Sequence, residues 1–192
     1  MFSIRDRKFE ISEAKFGGIL SLDEDEGWLL EWHFEVKAGV RNIDGHEWGP
    51  RLYAESLRIS LPAPAALPGY SIQVLAAFDD EGSPNFAIYV FEHESAYDIR
   101  MTFGTWRGEA IEITLDGKAE IDADDDFGMA VPFRVECPFT FEGICVFHRS
   151  EEHARERLAE LYDPADFIAE RARIGFNYRL RSSGGTQVPS PQ

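Results

Sequence analysis

Apolar and polar positions alternate with a period of two over residues 28–36, where Trp28, Leu30, Trp32, Phe34 and Val36 fall on one face and Glu31, His33 and Glu35 on the other. That spacing predicts a strand with one face in a core and the other in water. The alternation recurs at 57–61, 72–74, 99–103 and 131–135, which read as half-buried antiparallel strands. Residues 86–91 are apolar on both faces and read as a central strand covered on both sides. Turn residues separate these runs: Pro62, Pro64, Pro68 and Gly69, then the stretch 79–84, Asp116-Gly117 and Glu142-Gly143.

At Asp116-Gly117 the hydrophobic pattern selects a register. A three-residue loop of Leu115, Asp116 and Gly117, with the glycine at positive φ, sets Ile113 against Ala119 and Ile111 against Ile121, so the inner face of the predicted hairpin is uniformly apolar. The same register places Glu112 opposite Glu120, a like-charge pair that destabilises by a few tenths to ~1 kcal/mol.

After Phe147 the period changes. Ser150 suits a helix N-cap, with Glu151 and Glu152 in the first turn. Asp163 and Pro164 suit a second start, and Gly175 a C-terminal stop. Two short helices are predicted, over 151–162 and 164–174, anchored by Leu158 and Leu161 and by Phe167, Ile168 and Ile174. The expected fold is mainly β (α+β): an antiparallel β-sandwich or open barrel with two short C-terminal helices packed on it. An acidic β-rich body spans 1–148, the helical segment 149–181 belongs to the same domain, and 182–192 forms a flexible tail.

Charge changes this picture more than composition does. The 192 residues carry a formal net charge of −16, and all of it lies in 1–148, where 28 Asp and Glu face 12 Lys and Arg. Such a body repels nucleic acid and anionic membrane and attracts basic partners. The opening residues lack an apolar stretch behind basic ones, no apolar run approaches the ~20 residues of a membrane span, and Cys137 and Cys145 are too few for a disulfide scaffold. Cytoplasmic residence with reduced thiols is therefore expected.

Candidate chemistry is sparse. Asp122, Asp124 and Asp126 resemble the first ligand positions of a calcium loop, but Phe127 and Phe133 stand where such a loop needs glycine and glutamate, which excludes an EF-hand. A loop-type Ca²⁺ site, a solvated turn and a partner-binding patch remain open for Asp122, Asp124, Asp125 and Asp126. His33, between Glu31 and Glu35, reads as a carboxylate-paired surface histidine; His148 and His153 lack the i, i+4 spacing of a helical metal site. Trp28 and Trp32 read as core. Trp48 and Trp106 each sit beside a glycine in a predicted loop and are candidate ligand contacts.

The leading functional expectation is a non-enzymatic protein-binding module whose acidic surface docks a basic macromolecule, an immunity-type inhibitor of a cationic toxin being one version. Glu112, Glu120, Asp122, Asp124, Asp125, Asp126, Trp48 and Trp106 are its candidate binding residues, with no cofactor required. The alternatives are a carbohydrate or small-molecule module assisted by Ca²⁺, and a hydrolase using carboxylates and a histidine.

Overall fold

The computed structural model describes residues 1–43, 45–121 and 128–181. The chain opens with β1 (Phe2–Ile4), β2 (Arg7–Phe9) and the long pair β3 (Ile11–Asp23) and β4 (Gly27–Ala38). The turn between the pair forms because the Asp23 carboxylate accepts bonds from the Asp25 and Glu26 amides at 2.8 and 2.9 Å, and Gly27 takes φ +87°. Next come β5 (Arg41–Ile43), β6 (His46–Trp48), β7 (Arg51–Leu57), β8 (Ser71–Val74) and β9 (Phe86–Tyr89). Three long strands follow, β10 (His93–Arg107), β11 (Ala110–Ile121) and β12 (Gly128–Val146). The chain then forms α1 (Glu151–Ala159), a 3₁₀ turn at Pro164–Asp166, and the hairpin β13 (Phe167–Arg171) and β14 (Phe176–Leu180).

Seven strands close into a barrel in the order β11-β10-β9-β7-β4-β3-β12, with β12 returning to β11. Neighbours that alternate in direction close only around an even number of strands, so a seven-membered ring needs a parallel contact. That contact is β3 with β12, paired from Lys15↔Thr140 to Leu20↔Val146, while the other six pairings of the ring are antiparallel.

Inward residues fill the barrel. Phe16 packs against Trp32, Phe34, Phe103 and Phe141, its ring 5.0 Å from that of Phe141 across the parallel contact, and Phe34 continues to Phe86 and Phe139. At one end Trp48 stacks on Phe9 and meets Phe91 edge-on. At the other end Ala154 and Leu158 of α1 are fully buried, and the Tyr162 hydroxyl donates to the Leu61 carbonyl at 3.0 Å.

The mainly β class agrees with the sequence pattern, and β4, β8, the middle of β10 and the first half of β12 lie where alternation placed them. Phe86, Ala87 and Ile88 are buried in β9, between β7 and β10, as expected of a central strand, although Tyr89 turns outward. Other expectations are corrected. The barrel is closed, so it is neither a sandwich nor an open barrel. The alternation at 57–61 is not a strand, because β7 already ends at Leu57. Glu142-Gly143 is a bulge inside β12, with Gly143 at φ +100°, instead of a turn.

One helix forms among the described residues, not two. The Asp163 carboxylate does cap the Ala165 amide at 2.9 Å, but the turn it starts is a single 3₁₀ turn, and Phe167 then enters the β13–β14 hairpin whose β14 pairs with β12. Phe167 and Leu158 are buried as predicted, whereas Leu161, Ile168 and Ile174 are exposed. The expected tail, residues 182–192, lies outside the described residues.

The Asp116-Gly117 hairpin does not exist: β11 runs straight through it, with Asp116 opposite Arg134 and Gly117 opposite Phe133. The glycine is there for space. A Cβ at 117 would lie 2.7 Å from the Phe133 ring and 2.8 Å from Ile99. Gly117→Ala is therefore expected to destabilise by about 1–3 kcal/mol through overpacking, and to cost clearly less in a Phe133→Leu background. Denaturant unfolding of the four variants checks this; equal costs in both backgrounds would refute the ring contact as the cause.

Candidate functional site

With the hairpin gone, Glu112 and Glu120 no longer oppose each other; they lie eight residues apart on one strand. Glu112 pairs with Arg107 at 2.7 Å and stands opposite Pro138 of β12. Glu120 accepts a 2.7 Å bond from the Tyr97 hydroxyl, which raises the pKa of that phenol. The predicted repulsion is absent. Trp48 is 2% exposed, so its ring serves the core and is not offered to a ligand. Trp106 is half-buried and donates to the Pro64 carbonyl at 2.9 Å, tucked over the 3₁₀ turn at Pro64–Ala66. Asp122, Asp124, Asp125 and Asp126 lie outside the described residues.

The structure instead draws attention to a split in the barrel wall. On the edge of β12 away from β11, β1 pairs with Phe133 to Val135, and the Glu136 amide still donates to the Met1 carbonyl at 2.9 Å. Pairing on that edge resumes at Thr140, where β3 begins its parallel contact. Between them, residues 137–139 of β12 pair with β11 alone, and residues 11–14 of β3 pair with β4 alone. Two strand edges thus face one another across a groove of about 690 Å³.

Pro138 fits this gap. The Arg5 amide donates to the Pro132 carbonyl and the Glu136 amide to Met1, so residues 132 and 136 turn their main-chain groups toward β1. The two-residue repeat turns Pro138 the same way, and proline has no N–H to offer a neighbour there. A bulge between Ile11 and Glu13 marks the facing part of β3.

The split exposes side chains that belong to the interior. Cys137 lies in the inward set between the buried Val135 and Phe139, opposite Ile113, yet it is only half-buried. Ile11 and Ala14 stand opposite the inward Ala38 and Val36 and are likewise half-buried. The groove therefore has an apolar floor, and among the described residues its lining carries Glu10, Glu13, Glu136 and Glu142 against the Lys15 side chain and the Met1 α-amino group, which donates to the Glu136 carbonyl at 2.6 Å. Glu112 borders a smaller adjoining hollow of about 280 Å³ that shares Glu136, Cys137 and Pro138 with the groove.

An ion-pair web stiffens the wall beside the groove. Glu35 of β4, 13% exposed, is held by Arg51 at 2.5 Å, Lys37 at 3.3 Å and Lys15 at 3.5 Å. Lys15 also reaches Glu142 at 3.5 Å and Glu13 at 3.7 Å; Glu142 is the main cause of its raised pKa. Lys37 donates to Glu13 at 2.7 Å and holds that carboxyl below the usual range. The lysine side chain in the groove is thus engaged by Glu13, Glu35 and Glu142 of its own chain, which leaves Glu10 outside these ion pairs. Glu136 shares its carboxylate with Arg134 at 3.0 Å.

His33, His93 and the His148–His153 pair make separate contacts. The His33 Nε2 meets Glu142 at 3.2 Å, its Nδ1 is enclosed, and the ring lies over Gly17, where a Cβ would approach it to 2.7 Å. It is a carboxylate-paired histidine, but its partner comes from β12 and not from Glu31 or Glu35. The Tyr53 hydroxyl lies 2.6 Å from His93 Nδ1, and burial raises the phenol pKa, which opposes formation of a nucleophilic tyrosinate. His148 and His153 touch ring to ring at 5.1 Å. Among the described residues no group of three or more His, Cys, Asp and Glu could hold a metal ion.

Compared with protein-family models, curated proteins and solved structures, the chain matches none. Among the described residues no helix is long and apolar enough to cross a membrane.

None of the residues lining the groove was among the sequence candidates. The available signal was Pro138, a donorless residue in the wet set of an otherwise regular alternation of Val135, Cys137, Phe139 and Phe141 with Glu136, Thr140 and Glu142. Burial pushes the Cys137 thiol up to about 11, so roughly one thiol in a thousand is ionised at pH 8. Alkylation of Cys137, followed by mass spectrometry, is expected to rise about tenfold per pH unit from 8 to 10. A rate that levels off near pH 9 would contradict the burial.

Proposed function

We propose that the protein is a binding module, not an enzyme, and that its ligand is a segment of a basic protein seated in the groove between β3 and β12. The observation that carries this reading is the pairing of an apolar floor, formed by Ile11, Ala14 and Cys137, with a rim in which Glu10, Glu13, Glu136 and Glu142 outnumber the Lys15 side chain and the Met1 α-amino group. Apolar burial supplies residence, and the rim selects cationic segments and speeds their encounter. The formal charge of −16 extends the attraction beyond the groove, and Glu112 lies on the same acidic stretch of the wall. An inhibitor that masks a cationic protein, as immunity-type proteins do, is one form this activity takes.

The test uses the full chain and short labelled peptides in which valine alternates with lysine or with glutamate. Fluorescence anisotropy is expected to show binding of the lysine peptide alone, weakened by salt. The double variant Glu10→Gln, Glu136→Gln should bind it roughly five- to tenfold more weakly, the scale of two exposed charge contacts. Equal binding of both peptides, or an unchanged affinity in the variant, would overturn the reading.

A further inference from the structure

Resting on that reading, we infer that the groove is a strand-addition site: the basic segment enters extended and pairs its main chain with residues 11–14 of β3. The argument starts from the two edges. Other stretches also have one free edge, residues 27–31 of β4, β2 and β13 among them, but residues 11–14, paired only with β4, and 137–139, paired only with β11, face one another across a groove with an apolar floor. An unpaired edge is a template for another strand, because its N–H and C=O groups gain partners when one docks. The two edges are not equal. Pro138 removes the donor from the β12 side, whereas 11–14 is Ile-Ser-Glu-Ala and keeps every N–H. The β3 edge is therefore the one that can carry a ladder.

The floor and rim then dictate the sequence of the occupant. Side chains of an extended segment point alternately to opposite faces. One set would lie on Ile11, Ala14 and Cys137, which calls for apolar residues of moderate size in about 690 Å³. The other set would point outward beside Glu10, Glu13, Glu136 and Glu142, which calls for Lys or Arg. The ligand class is thus an extended stretch in which apolar and basic residues alternate. A basic helix would not meet this requirement, since its apolar positions recur every three or four residues.

Backbone N-methylation of the alternating valine–lysine peptide isolates the main-chain contribution, because it removes donors and leaves every side chain and charge in place. In a strand the valine amides point to one edge and the lysine amides to the other. Only one of those edges can face β3; the other faces β12, where Pro138 is the one residue of 137–139 turned to the groove and offers at most its carbonyl as an acceptor. Methylating one set is expected to weaken binding at least tenfold, and methylating the other no more than about threefold; the sensitive set also reports the direction of the added strand. Bound unmethylated peptide should slow alkylation of Cys137 at pH 9 and leave that of Cys145, which contacts the Ile174 carbonyl instead of the groove, unchanged. Equal effects of the two methylated sets, whether none or both, would overturn strand addition while leaving the charge-selective reading intact. Cys137 unprotected by a saturating peptide would place the ligand elsewhere and overturn the inference as well. Failure of the unmethylated lysine peptide to bind would instead remove the reading on which it rests.

Discussion

Seven strands cannot close into a ring by antiparallel contacts alone, and the single parallel contact this forces, β3 on β12, organises the rest of the molecule. Its close packing is visible in the residues it selects. Gly17 and Gly143 let the strands and the His33 ring approach: a Cβ at 17 would stand 2.9 Å from the Gly143 carbonyl and 2.7 Å from the imidazole. Gly143 takes φ +100° and breaks the register between Phe141 and Ile144, so the contact is made in two pieces joined by a bulge. Inside the wall Phe16 meets Phe141, and outside it Lys15 meets Glu142. The core aromatics and the surface ion pairs thus brace the same contact from both sides.

The split follows from the same constraint. A strand running parallel to β12 reaches it from another part of the chain, and β1 occupies the same edge of β12 further along. Where one neighbour ends and the other has not begun, three residues of β12 are left without a partner on that side, and Pro138 stands among them. The apolar floor is exposed for no reason of its own sequence. Cys137 keeps the inward register of its strand, and it is seen from outside because the wall beside it is missing. A defect in pairing becomes a groove with a hydrophobic base.

How much of this could be read beforehand depended on whether a signal was local. The alternation of Trp32, Phe34 and Val36, and the doubly apolar Phe86 to Ile88, state their burial in their own sequence, and the structure agrees. Asp116-Gly117 misled because turn chemistry and strand chemistry use the same residues for different ends: the aspartate pairs with Arg134 at 2.6 Å and the glycine makes room for Phe133. At Asp163-Pro164 the capping signal was real and produced its turn, yet pairing with β14 outweighed the helix propensity of the residues after it. The groove was out of reach for a different reason. It is set by where two distant pairings end, and Pro138, its one local sign, does not say which strands lie beside it.

An open edge is hazardous to the protein that carries it, since a second copy of the same chain could pair there. The charge distribution bears on that hazard as directly as on the proposed recognition. A copy of this chain brings another sixteen negative charges toward a rim that already holds Glu10, Glu13, Glu136 and Glu142, and like charges brought together across an edge cost free energy that a basic segment would not incur. Pro138 adds to the protection by leaving one side of the slot unable to complete a ladder. The residues that would admit an alternating cationic strand are therefore the same ones that keep the groove from closing on its own kind, so the acidity of the body and the gap in its wall are two parts of one arrangement.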